Sequence, residues 1–151
     1  MKKSLFITIS AMLILTATSC HHETFDERCA REAKEYTMKL CPRQISKGFV
    51  LDSMAYYKTS EGDKIVERKF TYYYTFSGDF DNNLDKLMTE FPDTARKRLD
   101  EFKTTMLNEL TTSVQLKQYK DKGFNFEYIY FSAKKKAPVL QFKFTKSDYK
   151  H

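Results

Sequence analysis

Cys20 is the residue whose neighbours most clearly indicate a chemical role. It follows the small residues Ala17-Thr18-Ser19, which come after the positive start Lys2-Lys3 and a mostly apolar run over 4–15. Charge, a short apolar run and small residues are the parts of a secretory signal. A cysteine at the cleavage point indicates a lipobox, in which the thiol receives a diacylglycerol group. The alternative is an ordinary cleaved signal followed by a chance cysteine.

This pattern divides the chain into three parts. The apolar run has about 12 residues, fewer than the roughly 18 expected of a spanning helix. We therefore predict a lipoprotein signal peptide over 1–19, which is removed, and a lipidated Cys20 with a short tether over 20–23. Two or three acyl chains on one residue anchor a protein stably to a membrane. The single domain then covers 24–151, and removing 19 residues from the 151 leaves a mature chain of 132.

Residue types that catalyse reactions form no convincing pattern elsewhere. Ser132-Ala133-Lys134-Lys135 matches the Ser-x-x-Lys pattern of penicillin-recognising enzymes, which needs a helix start and companion motifs. Here it falls in a predicted hairpin turn. His21, His22 and His151 lie at the two ends of the chain, which argues against a histidine-based triad or metal site. We predict no catalytic residue, no metal site and no cofactor. The rival prediction is an enzyme with unrecognised serine or carboxylate chemistry.

Short patterns on the predicted surface have two readings each. Asp79 and Asp81, beside a glycine turn, suit calcium as well as they suit a flexible acidic turn. Asp52-Ser53-Met54 and Asp93-Thr94-Ala95 resemble the O-glycosylation acceptors of exported Bacteroidota proteins, so Ser53 and Thr94 are candidate acceptors. Such short patterns also occur by chance, and Asp93-Thr94 suits a helix start equally well. The acidic segment after Cys20 is similar to one that directs some lipoproteins of that group to the cell surface.

Charge and cysteine content limit the classes of partner. Without Lys2 and Lys3 the mature chain has 24 basic and 20 acidic residues, a weakly basic balance. An extracytoplasmic protein of this charge is not expected to bind nucleic acid. Cys29 and Cys41 would enter an oxidising compartment. They are about 18 Å apart along one helix, too far for a disulfide. We expect two unpaired thiols, or an intermolecular bridge at Cys41.

Hydrophobic spacing predicts an α+β domain. Thr24 and Glu27 form a capping box for a helix that ends at Cys41-Pro42. Two strands follow, over 49–58 and 64–76, then a short turn or arm over 82–90. A long helix begins near Pro92, and Ser113 caps a short one ending near Asp121. The last hairpin has alternating aromatics in both strands: Phe124, Phe126, Tyr128, Tyr130, Leu140, Phe142 and Phe144.

The order α-β-β-α-β-β predicts a four-stranded antiparallel sheet with the helices packed on one face. We expect Leu99, Phe102 and Met106 to be buried against aromatic residues of the strands. Along the strand over 64–76, Phe70, Tyr72, Tyr74 and Phe76 share the covered side.

The other side of this strand is a candidate binding face. It carries Lys69, Thr71, Tyr73 and Thr75, and an exposed tyrosine beside polar groups suits a peptide, a glycan or a partner protein. The competing interpretation is that tyrosine is simply a favoured strand residue. A Tyr73→Ser variant that loses binding without losing stability would decide between them.

Several segments resemble a family of small exported bacterial proteins of Bacteroidota type. They are Leu40-Cys41-Pro42, Leu51-Asp52-Ser53, the aromatic run over 70–76 and Gly123-Phe124-Asn125-Phe126-Glu127-Tyr128. The cysteine usual near the C-terminus of that family is missing, and Ser147-Asp148-Tyr149 stands in its region. The resemblance implies a fold and carries no activity.

Together these observations predict a non-enzymatic binding or accessory lipoprotein of the cell envelope. Its anchor would be the lipid on Cys20, in the outer membrane, on the periplasmic or the surface-facing side. Its partner would be an envelope protein, a peptide or a glycan. An immunity or inhibitor protein is one version of this prediction, and a subunit of an envelope assembly is another.

Overall fold

The computed structural model describes residues 22–150. Cys20, His21, His151 and the predicted signal peptide over 1–19 lie outside the described residues. The α+β class is confirmed. In chain order the elements are α1 (Phe25–Leu40), β1 (Arg43–Ser46), β2 (Phe49–Glu61), β3 (Lys64–Phe76), α2 (Gly78–Glu90), α3 (Pro92–Thr112), α4 (Lys117–Asp121), β4 (Asn125–Ser132), β5 (Ala137–Phe144) and α5 (Lys146–Tyr149).

The first helix has the predicted ends. The Thr24 hydroxyl accepts a hydrogen bond from the Glu27 amide, and the Glu27 carboxylate accepts one from the Thr24 amide. Cys41 precedes a proline and leaves the helix in an extended conformation, because the α region is disfavoured there. Cys29 and Ala33 are buried against the sheet. Cys29 and Cys41 are both free thiols here, Cys29 buried and Cys41 half-buried.

The predicted sheet was wrong in two respects. It has five strands in the order β1-β2-β3-β4-β5, because the short segment Arg43–Ser46 pairs with β2. It is also mixed, since β4 runs parallel to β3 while the other neighbours are antiparallel. The chain leaves β3 at Phe76 and returns beside Lys69 at Asn125. A crossover of helices makes this return, and such crossovers join parallel strands.

The crossover contains more helix than predicted. The segment over 82–90 is part of the 13-residue helix α2, which was expected to be a turn or arm. The helix α3 begins at Pro92 as predicted and has 21 residues. The Ser113 hydroxyl accepts a hydrogen bond from the Leu116 amide ahead of α4. No helix within residues 22–150 is both long and apolar enough to cross a membrane.

An aromatic core lies between the sheet and the helices. Phe70 and Phe76 are buried on the helical side with Phe124, Phe126, Tyr130 and Phe144, which confirms the predicted side of β3. Met106 of α3 is also buried, and Leu99 is half-buried. The prediction for Phe102 was wrong: 36% of this residue is exposed. Its ring meets Tyr130 and Phe142 edge-on at the wall of a cavity that opens between α2 and α3.

Candidate functional site: a groove between two helices and the sheet

The helices α2 and α3 leave an apolar cavity of about 590 Å³ above one end of the sheet. We call it the α2–α3 groove. Its floor consists of strand residues, and its walls come from the two helices. The lining residues are Phe49, Phe76 and Leu140 from the strands, Phe80, Asn83, Leu84, Leu87 and Met88 from α2, and Ala95, Arg98, Leu99 and Phe102 from α3. Three large apolar residues of this lining are open to solvent, namely Phe80, Met88 and Phe102.

A tight turn places one wall of the groove. Gly48 has φ +76°, and a Cβ there would lie 2.5 Å from the Ser77 carbonyl oxygen. Only glycine permits this approach. The Ser77 amide donates to the Gly48 carbonyl at 2.8 Å, which ties the start of α2 to the start of β2. Phe49 therefore stacks on Phe80 with ring centres 6.0 Å apart.

A second cavity of about 430 Å³ adjoins the groove. Phe49 and Phe102 line both cavities. Its floor is two stacked tyrosine pairs: Tyr72 with Tyr128, 5.1 Å between ring centres, and Tyr74 with Tyr130, 5.0 Å. Burial raises the pKa of all four phenols, that of Tyr74 to about 12. These hydroxyls therefore stay neutral at physiological pH.

Arg98 is the one charged residue that lines the α2–α3 groove. Its guanidinium has no hydrogen-bond or ion-pair partner among residues 22–150. The acidic residue Asp85 of α2 has other partners. Asp85 pairs with Lys135 at 2.5 Å and with Lys134 at 3.7 Å. Arg98 therefore brings a positive charge to the rim of an apolar space.

The opposite side of the sheet, which we call the polar face, contains all four predicted binding residues. Its centre is Glu127, whose carboxylate accepts hydrogen bonds from Lys69 at 2.8 Å, Thr71 at 3.0 Å and Gln141 at 2.6 Å. Burial alone raises the pKa of Glu127, but these hydrogen bonds outweigh it and lower the pKa below its ordinary value of 4.5. The network keeps a buried charge ionised.

The other groups of the polar face also bond to one another. The Tyr73 hydroxyl lies 2.8 Å from the Tyr57 hydroxyl, and Thr75 donates to Asp52 at 2.6 Å. Lys69 lies 5.5 Å from the centre of the Tyr57 ring. The prediction that these residues share a face is confirmed. Thr71, however, is 0% exposed, so it cannot touch a partner directly and instead holds Glu127. Binding at this face stays a prediction.

A family model described as a domain of unknown function, DUF8479, matches residues 24–140. The chain belongs to the DUF8479 family. Its fold is similar to that of a candidate secreted protein from Pseudomonas aeruginosa, known from a crystal structure. That likeness has 14% identity and a TM-score of 0.57, over 83% of this chain and 92% of the other. At this identity it shows the fold alone. No curated protein matches the chain.

The other predicted residues of this DUF8479 chain take part in hydrogen bonds and ion pairs that hold the fold. Ser132 is 1% exposed and donates to Asp81, and it accepts from the Lys135 amide. The Lys135 ammonium pairs with Asp85, so it does not bond to the Ser132 hydroxyl as a Ser-x-x-Lys catalytic pair would. Asp81 is buried in the first turn of α2. No group of three or more metal-ligating side chains occurs within 22–150. Calcium at Asp79 and Asp81 therefore finds no ligand cluster here.

The candidate glycosylation residues differ in access. Ser53 is half-buried in β2 beside a bulge, and Thr94 is exposed in the first turn of α3. Sequence reasoning did not find the α2–α3 groove. The sequence did contain a signal for its α2 wall, since Phe80, Leu84, Leu87 and Met88 recur at helical spacing.

Proposed function

We propose that this DUF8479 protein is exported, anchored by lipid on Cys20 in the outer membrane, and binds an apolar ligand without catalysing a reaction. Export is supported by the signal pattern over 1–20 and by the secreted assignment proposed for the similar protein from Pseudomonas aeruginosa. The domain would sit close to the bilayer, on its periplasmic or its outer side, because the tether over 20–23 is short.

The α2–α3 groove is the observation that carries the binding proposal. Its volume falls within the roughly 300–1,000 Å³ of small-molecule sites, which are mostly apolar with few polar groups. Water is a poor occupant of such a lining because it needs polar partners. The exposed Phe80, Met88 and Phe102 form the kind of grouped apolar surface that marks an interaction site.

A neutral fluorescent dye tests the groove. N-phenyl-1-naphthylamine should brighten on binding to the full chain carrying Cys20→Ala. Met88→Glu places a charge in the groove and should weaken dye binding about tenfold. Met38→Glu is the matched control, because Met38 is 73% exposed on α1 and does not line the groove. Equal loss in both variants, or no binding by the parent chain, would contradict the proposal.

The anchor has its own test. Cys20→Ala should abolish incorporation of radiolabelled palmitate, because the thiol is the attachment atom. Fractionation of the parent protein should place it with the outer membrane. Palmitate incorporation at the parent level in the variant would show that the lipid is elsewhere.

The polar face supports a second candidate function, recognition of an envelope protein, a peptide or a glycan. Tyr57 is 44% exposed there beside Lys69 and Tyr73. An immunity or inhibitor protein would use such a face. Tyr57→Ser should then remove a partner that the parent chain captures from envelope extracts, whereas Met88→Glu should keep it. The opposite result would assign the partner to the groove.

A further inference from the structure

We infer that the α2–α3 groove takes one long-chain fatty acid, with its carboxylate on Arg98 and its alkyl chain between α2, α3 and the sheet. This inference rests on the proposed function and names the ligand class. The groove offers an apolar interior with a single cation at its rim. An anionic single-chain amphiphile has the matching distribution of polarity and charge.

The interior suits an alkyl chain. Ala95 and Phe76 are buried at its base, and Leu84, Leu87, Leu99 and Leu140 are half-buried around them. The lining contains no acidic residue. Each CH₂ group of an alkyl chain that leaves water for this lining favours binding. A polar ligand such as a sugar would leave its hydroxyls without partners in this interior.

The rim suits a carboxylate. Arg98 and Asn83 are both exposed and both line the groove, from α3 and α2 respectively. Asp85 of α2 is paired with Lys134 and Lys135 and does not line the groove. A guanidinium binds a carboxylate through two parallel hydrogen bonds. The side-chain amide of Asn83 is a further, neutral N–H donor on the same lining.

The dimensions favour a single alkyl chain over a protein. The groove has a volume of about 590 Å³, within the roughly 300–1,000 Å³ of small-molecule sites. The adjoining tyrosine-floored cavity extends the lining along α3 from Ala95 to Ser113. This distance is about 27 Å at 1.5 Å per residue. The two adjoining cavities therefore offer room for an extended chain along α3.

Photo-crosslinking of the full lipidated protein in membranes tests the inference. The probe is a palmitic acid analogue with a diazirine in its chain, and the paired probe is the corresponding alcohol. Mass spectrometry should map the acid to peptides containing Met88 and Phe102. Arg98→Ala should reduce acid labelling of these peptides about tenfold, the effect expected of a lost charged hydrogen bond. It should leave labelling by the alcohol unchanged.

Arg96→Ala is the matched control, since Arg96 lies on α3 but outside the groove lining. Arg96→Ala should leave the labelling by both probes unchanged. All variants should have the melting temperature of the parent. Equal labelling by acid and alcohol, with no effect of Arg98→Ala, would overturn the carboxylate inference and leave the apolar groove intact. If neither probe labels these peptides, the fatty-acid inference is wrong. Binding of the neutral dye then tests the groove separately. A photo-reactive residue at Met88 that crosslinks to a second copy or to another protein would also overturn the inference.

Discussion

The two faces of the sheet use the same strands but satisfy their side chains differently. On the helical side, aromatic rings pack on one another and on α1 and α3, and an apolar space remains where α2 and α3 separate. On the polar face, Lys69, Thr71 and Gln141 meet at Glu127 and the tyrosine hydroxyls meet each other.

On the polar face, which no helix covers, the polar side chains bond to one another, whereas the face under the helices keeps an unfilled apolar cavity. A ligand should therefore gain more binding free energy at the groove. At the polar face a ligand must compete with partners already in place, but at the groove it meets apolar surface and a guanidinium that has no ion-pair partner among residues 22–150. The following changes measure this contrast, beginning with the largest effect.

Removing a ring from the covered face should cost most. Phe126 is 0% exposed and packs against Phe70 and Tyr149. Phe126→Ala should lower the free energy of unfolding by about 3–5 kcal/mol, through lost burial and the cavity left behind. Urea denaturation followed by circular dichroism measures it. A loss below about 1 kcal/mol would mean that this face is not the core.

Opening the hydrogen-bond network should be the largest effect on the polar face. Glu127→Ala leaves Lys69, Thr71 and Gln141 without their shared acceptor and should cost about 2–3 kcal/mol, because unpaired groups near a buried site are expensive. Adding Lys69→Met should recover part of the loss, as a double-mutant cycle would show. Simple additivity of the two changes would argue against a coupled network.

Acid should weaken the link between α1 and β3. Hydrogen bonds from Arg68 and Tyr56 lower the pKa of Asp26 to about 2, from 3.8. A lowered carboxyl pKa stabilises the fold above the unfolded value, and this contribution disappears as pH falls through the folded value. About 2 kcal/mol should be lost between about pH 4 and pH 2. Asp26→Asn should flatten this part of the stability profile relative to the parent.

Phe102 should behave as a residue of the groove wall. With 36% of it exposed, Phe102→Ala should cost about 1–2 kcal/mol, less than full burial would imply. The same change should weaken binding of the neutral dye. A loss as large as that of Phe126→Ala would show that α2 closes over the ring in solution.

Tyr73 should have the smallest effect on stability. Tyr73→Phe keeps the ring and removes one hydroxyl contact with Tyr57, so we expect a loss of about 0.5–1 kcal/mol. Burial raises the pKa of Tyr73 to about 12, and the hydrogen bond to Tyr57 adds to this. Loss of a captured partner in Tyr73→Phe, at nearly unchanged stability, would assign function to the polar face instead of the groove.

Local chemistry was enough to predict most elements. The capping box at Thr24, the stop at Cys41-Pro42 and the alternation through β3 depend on neighbours within one or two turns of chain. The strand β1 was missed because its four residues are all exposed and show no alternation of burial. Its pairing with β2 is a tertiary event. The length of α2 was underestimated because the residues over 82–90 were interpreted as a short turn or arm despite their helical apolar spacing.

The amino-acid sequence alone was enough for the α+β class and for the parity that separates Tyr73 from Tyr72 and Tyr74, and it predicts the anchor at Cys20. Each follows from residue order along a short stretch. Only the tertiary structure decided the direction of β4, the burial of Thr71 and the existence of the α2–α3 groove. These depend on where a crossover of more than 40 residues returns and on how closely two helices approach a sheet, and both are set by packing between residues far apart in the chain.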